Sequence, residues 1–214
     1  MIERYCGLEQ VVDGKRYTIA TKRVLLEQGA LAHVASLSDD LLDPQKPVLL
    51  VCDRTTWRVA GERVVEGFSE KSWALDRLFV IEPDNAPAVA DDAAVEHVQQ
   101  ALSSGIYGGV VAVGSGTVND IAKLASDRAG LPYVCVATSP SMNGYTSGIA
   151  AILSKGVKTT TPCRVPLAVF FDLDGNAQSP YRMIASGLGD LLSRPVSNAD
   201  WRLAARLAGG IYSR

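Results

Sequence analysis

The apolar run Val110-Val111-Ala112-Val113 breaks into the turn Gly114-Ser115-Gly116 and resumes at once as Thr117-Val118-Asn119-Asp120-Ile121-Ala122-Lys123. A strand, a tight loop and a helix N-terminus in direct succession limit the fold more than any other feature of the chain. Glycines let the backbone approach a bound group closely. The first-turn N–H groups, unpaired within the helix, aim a positive dipole end at that group. The expected occupant is a phosphate. Val118, Ile121, Ala122 and Ala125 fall on one face at the 3.6 period, and Thr117 and Asp120 have the spacing of a capping box.

Taken alone, a Gly-x-Gly turn is more often only a tight turn. In the usual dinucleotide fingerprint an acidic residue follows the glycines by about 20 residues and binds the ribose. Here the best acidic candidate, Asp53, comes well before Gly114. Either the site is not for a dinucleotide, or the sheet is wired in another order.

A chain of 214 residues that is 47% hydrophobic fills a real core, as one large domain or as one domain plus part of another. Its net charge is −2 with basic and acidic residues interspersed, so it lacks the basic stripe that neutralises nucleic-acid phosphates. Cys6, Cys52, Cys135 and Cys163 are far apart and show no paired metal spacing, which fits small core residues in a reducing compartment. The N-terminus has no apolar h-region, and no stretch approaches the roughly 18 apolar residues of a membrane span, so a soluble, cytoplasmic protein is expected. The acidic cluster over residues 84–92, with Pro83 and Pro87, reads as a loop entering a helix.

Strand signals at residues 47–52, 77–81, 109–113 and 133–137 alternate with helical patterns at 56–68, 88–103 and 117–129. In the second helix Val89, Ala93, Val98 and Leu102 fall on roughly one side. The alternation predicts an α/β fold with a mostly parallel, Rossmann-like sheet covered on both faces. Ligands of open α/β sheets bind outside the carboxyl ends of the strands. That rule brings Asp53, Gly114, Ser115, Gly116, Thr117 and the run Thr138-Ser139-Pro140-Ser141 to one crevice, although the run is equally an ordinary hydroxyl-rich turn. Runs at 149–153 and 157–161 flank Ser154-Lys155-Gly156 and predict a hairpin. Another apolar run covers 167–171. From about Pro180 the chain turns helical, with Tyr181, Ile184, Leu188, Leu191 and Leu192 recurring at helical spacing.

From Gly114-Ser115-Gly116-Thr117-Val118-Asn119-Asp120-Ile121-Ala122-Lys123 through Thr138-Ser139-Pro140-Ser141-Met142-Asn143-Gly144-Tyr145-Thr146-Ser147, the chain resembles the glycerol-1-phosphate dehydrogenases. These belong to the superfamily of iron-containing alcohol dehydrogenases, glycerol dehydrogenase and dehydroquinate synthase. The likeness continues through Gly156-Val157-Lys158, Arg182-Met183-Ile184-Ala185-Ser186-Gly187-Leu188-Gly189-Asp190-Leu191 and Asn198-Ala199-Asp200-Trp201.

The resemblance implies an α/β dinucleotide-binding domain over residues 1–175 and the start of a helical metal-binding domain over 176–214, cut short. It also implies a metal-dependent, NAD(P)-linked interconversion of dihydroxyacetone phosphate and glycerol 1-phosphate, with an acidic residue at an earlier strand end binding the cofactor. Carried over by position, Gly114, Ser115, Gly116, Thr117 and Val118 hold the pyrophosphate and Asp53 the adenosine ribose. Thr138, Ser139, Ser141 and Ser147 complete the cofactor site. A carboxylate at Asp53 accepts from the 2′-hydroxyl of NAD and repels the 2′-phosphate of NADP, which favours NAD. Asp190 matches a ligand of Zn2+ or another divalent metal, which would polarise the substrate carbonyl.

The sequence departs from the family pattern twice. Asn143 stands where the family has a substrate-contacting Asp, and Asn keeps hydrogen bonding but loses the charge. The family's two histidine ligands have no counterpart, since His33 and His97 both precede the glycine turn. A catalytic zinc site normally needs three protein ligands. The expected partner is a small phosphorylated polyol or ketose, and assembly with a second copy of the chain stays open. The alternatives are a dehydrogenase for another polyol or phosphorylated ketose, a synthase of the dehydroquinate type, and a non-catalytic nucleotide-binding fragment that self-associates through Trp201, Leu203, Leu207 and Ile211.

Overall fold

A computed structural model describes residues 5–12, 14–82, 86–210 and 212. Pro83, Asp84 and Ile211, which figure in the sequence reading, lie outside the described residues. The first elements, β1 (Glu9–Val12) and β2 (Lys15–Thr18), form an antiparallel pair. They are followed by β3 (Arg23–Glu27) and β4 (Val48–Cys52), and the helix after β4 is composite. It begins as α1 (Arg54–Thr56), passes through a π-helical turn (Trp57–Gly61) and continues as α2 (Glu62–Glu70). Next come β5 (Leu75–Phe79), α3 (Asp92–Leu102), β6 (Gly109–Gly114), α4 (Gly116–Arg128) and β7 (Tyr133–Ala137). A hairpin of β8 (Ile149–Ser154) and β9 (Val157–Pro162) precedes β10 (Ala168–Asp172), α5 (Leu173–Ala177), α6 (Tyr181–Leu192) and α7 (Arg194–Ala208).

Six of these strands form one sheet in the order β3-β10-β7-β6-β4-β5, and every neighbouring pair is parallel. Buried strands of this kind read as continuous apolar runs because both faces are covered. In β6 the alternation divides the layers. Val110 and Ala112 join the cluster containing Val95 and Val98 of α3 and Val118, Ile121 and Ala125 of α4, while Val111 and Val113 join that of Val64 and Phe68 of α2. All four side chains are fully buried. Each contributes on the order of 1 to 3 kcal/mol through removal from water.

The wiring resolves the misplaced acidic residue. From β4 the chain moves outward to β5, returns to β6 on the other side of β4, and continues away through β7 to β10. The strand order therefore reverses between β4 and β6, where open α/β sheets form their ligand crevice. Asp53 follows β4 and Ser115 follows β6, so the carboxylate and the glycine turn flank that switch point.

Several boundaries differ from the sequence expectations. The strand expected at 77–81 runs over Leu75–Phe79. The helix expected from residue 88 starts at Asp92, because Asp91 is its N-cap and accepts from the Ala94 N–H at 2.8 Å. Its buried face is accordingly Ala94, Val95, Val98 and Leu102, with Val89 exposed. The capping box expected of Thr117 and Asp120 does not form. Ser115 is the N-cap, and the Asp120 carboxylate is drawn to β8 instead. Leu188, Leu191 and Leu192 of α6 are exposed, so their helical spacing does not mark a covered face in this chain. Among the described residues no helix is long and apolar enough to cross a membrane.

Candidate functional site

Gly114 ends β6 because nothing larger fits. A Cβ there would lie 2.5 Å from the Val118 Cβ, so only glycine lets α4 start directly against the strand. The turn then points Ser115 to one side of the sheet and Thr117 to the other, and a cavity opens on each side. Val118 is buried in the core, so its side chain is directed away from both.

The first cavity, of about 630 Å³, lies over the ends of β4, β6 and β7. It is lined by Asp53 from β4, Ser115 from β6 and Thr138 and Ser139 from β7, with Asp174 and Met183 opposite. Asp53 occupies the N-cap of α1. Its Oδ1 accepts from the Thr56 N–H at 2.6 Å, and its own N–H donates to the Thr56 Oγ1 at 3.0 Å. The carboxylate is thereby fixed at the positive end of a helix. Ser139 is 3% exposed, and its Oγ has no hydrogen-bond partner among the described residues. Its carbonyl accepts from the buried Tyr145 hydroxyl at 2.6 Å, which anchors the backbone. A buried hydroxyl without a partner costs free energy that a bound polar group would recover.

The second cavity, of about 600 Å³, is lined by Gly116, Thr117, Asp120, Met142, Lys158 and Asp190 together with part of β8 and residues 88–90. Beneath it lies a charged cluster. The Lys123 side chain is 0% exposed; its Nζ donates to the Ile149 carbonyl at 3.0 Å and the Ser147 Oγ at 3.3 Å, and sits 3.5 Å from the Asp120 Oδ1. Asp120 Oδ2 accepts the Ala151 N–H at 3.1 Å. Burial raises the Asp120 carboxyl above the ordinary carboxylate range, against the lowering influence of Lys123 and the Ala151 N–H. The cluster joins α4 to the hairpin and closes the floor of the cavity.

Asp53, Ser115, Thr138 and Ser139 thus come together in the first cavity, and Gly116, Thr117 and Asp190 in the second. Ser147 faces Lys123 rather than either cavity. Ser141 is half-buried, on the loop between the two cavities. Asn143 touches Asp190: its N–H donates to Asp190 Oδ2 at 2.8 Å and its Nδ2 to the Asp190 carbonyl at 3.0 Å, while Arg194 donates to Asn143 Oδ1. Missed from sequence are Arg58, Arg63, Asp174 and Met183 in the first cavity and the burial of Lys123. Lys123 and Lys158 stand in quoted motifs, but their positions depend on the β8–β9 hairpin folding over α4.

Among the described residues, no three His, Cys, Asp or Glu side chains converge on a metal position. His97 Nε2 lies 3.2 Å from the Phe79 carbonyl, and His33 lies 3.7 Å from Glu27. Asp190 therefore belongs to no such group among them. The buried thiols of Cys52 and Cys135 are pushed up to about 12 by desolvation and belong to the core.

Residues 25–180 match the iron-containing alcohol dehydrogenase family. A glycerol-1-phosphate dehydrogenase [NAD(P)+] of Bacillus subtilis (strain 168) is 35% identical over 185 residues, covering 82% of this chain and 46% of the relative. The enzyme of the same name from Pyrococcus furiosus is 32% identical over 206 residues, covering 95% of this chain and 54% of its own. The crystal structure of a probable glycerol dehydrogenase from Sinorhizobium meliloti 1021 superposes with a TM-score of 0.68 at 23% identity, covering 84% of this chain and 48% of that one. The chain spans about half the length of the curated relatives it matches.

Proposed function

The chain belongs to the iron-containing alcohol dehydrogenase family, and on that premise we propose that it is the cofactor-binding portion of an NAD(P)-linked dehydrogenase acting between dihydroxyacetone phosphate and glycerol 1-phosphate. One observation carries the reading. Groups from three strand ends at the topological switch point line one cavity, and the Ser139 hydroxyl within it is buried without a partner. Those residues fit a dinucleotide. The N–H groups of the first turn of α4, between the two cavities, receive the pyrophosphate, Ser139 and Thr138 donate to it or to the adenosine, and the Asp53 carboxylate accepts from the ribose. This carboxylate makes NAD the preferred form. When bound, the dinucleotide gives or takes a hydride.

Substrate is assigned to the second cavity, where Asp190 and Lys158 offer polar contacts to a phosphorylated polyol and Asn143 holds Asp190 through its N–H. In this reading residues 1–175 form the dinucleotide-binding unit and 176–214 open a helical one that carries Asp190. The family name implies a metal, but Asp190 alone does not compose its site. Mixing the chain with dihydroxyacetone phosphate and NADH tests the assignment: slow or absent turnover with intact cofactor binding is expected. Robust turnover by this chain with added zinc would overturn the view that it supplies only the cofactor-binding portion.

A second reading, a nucleotide-binding module without catalysis, is favoured by the exposed Leu188, Leu191, Leu192, Leu203 and Leu207 on α6 and α7. Concentration-dependent self-association with no metal uptake would distinguish it.

A further inference from the structure

The π-helical turn after α1 gives the first cavity a feature that its glycine turn does not explain. In an α-helix Arg58 and Arg63 would project about 140° apart. Here the Glu62 N–H donates to the Trp57 carbonyl, five residues back, and the turn is wound one residue wider. Side chains five apart are thereby brought toward one face, and Arg58 and Arg63 both line the cavity with Asp53. Such turns are rare and frequently found at functional sites.

Trp57 and Gly61 hold the turn in place. The Arg77 guanidinium stacks on the indole at 4.4 Å from its centroid, and a Cβ at Gly61 would come within 2.7 Å of the Trp57 Cε3. The cavity's charges are unequally engaged. Asp53 caps α1, and Asp174 accepts from the Gln28 Nε2 at 3.0 Å. Among the described residues neither Arg58 nor Arg63 forms an ion pair, and Arg58 spends only its Nε, on the Arg54 carbonyl at 3.2 Å. Two guanidinium groups with donors to spare favour a doubly charged oxyanion, which planar forks bind better than any other side chain. They lie on the composite helix that Asp53 caps, in the same cavity as the carboxylate assigned to the ribose.

We propose that Arg58 and Arg63 form a clamp for the 2′-phosphate of NADP, offsetting the repulsion from Asp53 and letting this chain take either cofactor. The inference rests on reading the cavity as a dinucleotide site. The test titrates the chain and its R58Q/R63Q variant with NADH and with NADPH, which differ only in that phosphate. Both arginines are exposed, so the variant is expected to fold. The expected result is binding of both cofactors by the unaltered chain, a loss of tenfold or more in NADPH affinity in the variant, and NADH affinity within twofold. Equal losses for both, no loss for either, or binding of NADH alone by the unaltered chain would overturn the clamp and leave the dinucleotide site standing. Failure of the folded, unaltered chain to bind either would overturn the dinucleotide reading itself.

Discussion

Asn143 donates its backbone N–H to the Asp190 carboxylate at 2.8 Å and its side-chain amide to the Asp190 carbonyl at 3.0 Å, so a loop beyond β7 and the helix α6 hold each other directly. Arg194, at the start of α7, adds a third bond through the Asn143 Oδ1. A side chain that both donates and accepts is required at this junction. Aspartate would keep the pair with Arg194 but turn an oxygen toward the Asp190 carbonyl. The departure at Asn143 therefore has a structural consequence for α6 and α7 as well as a consequence for substrate.

Replacing Asn143 with alanine removes both side-chain bonds at an exposed junction, each worth about 1 kcal/mol. Faster amide exchange confined to α6 and α7, with the sheet unaffected, is the expected result. Unchanged exchange in those helices would show that the contacts do not hold them.

Gly187 and Gly189 lie two residues apart on α6 and should respond oppositely. A Cβ at Gly187 would overlap the Pro140 carbonyl, whereas at Gly189 nothing lies within 4 Å. G187A should therefore detach α6 from the loop beyond β7 or destabilise the chain, and G189A should stabilise it by about 0.5 to 1 kcal/mol through helix propensity. Thermal unfolding of the two variants gives the comparison, and equal shifts would contradict it.

The buried cluster beneath the second cavity predicts a large loss for K123M. Removing the ammonium leaves Asp120 without its ion-pair partner and costs about 3 to 5 kcal/mol. The D120N/K123M double variant, which removes both charges, should recover part of that. Urea midpoints of K123M, D120N and the double variant test the coupling, and additive losses would rule it out.

Asp120 also sets a pH dependence. Its carboxyl is raised in the folded chain by burial, so between the ordinary carboxylate range and the raised value the folded state holds more protons than the unfolded one. Stability from this group therefore rises as pH falls through that window and levels off below it. D120N should lack this contribution. The check is unfolding free energy against pH for both chains, with identical slopes counting against the assignment.

How far the sequence reveals this fold depends on the range of the interactions that make it. The strands β4, β6 and β7 and the helix α4 were legible because their apolar runs and glycine turn act locally. The crevice was legible in outline, since Asp53, Ser115, Thr138 and Ser139 each follow a strand end. The π turn was not legible, because it depends on Trp57 packing against Gly61 and Arg77 rather than on any periodicity. Nor was the edge strand β3, whose residues Arg23–Glu27 find a place only by pairing with β10, over a hundred positions later. The Thr117 and Asp120 spacing misled for a similar reason, because the Ala151 N–H of a distant hairpin captures the carboxylate.

Asp53 carries two roles that one substitution separates. D53N retains a good N-cap and so should change stability by no more than a few tenths of a kcal/mol, while removing the charge that disfavours a 2′-phosphate. Relative to the unaltered chain, the ratio of NADPH to NADH affinity should rise by about tenfold, the equivalent of 1.4 kcal/mol. A ratio that does not move would place the ribose away from Asp53.

The most direct test of the crevice is calorimetric titration of the folded chain with NADH, repeated with S139V. Saturable one-to-one binding that weakens in the variant is the predicted result, because the Ser139 hydroxyl would lose the partner it gains only from the cofactor. A chain with intact thermal unfolding that releases no heat with NADH or NADPH would contradict the assignment of the crevice to a dinucleotide.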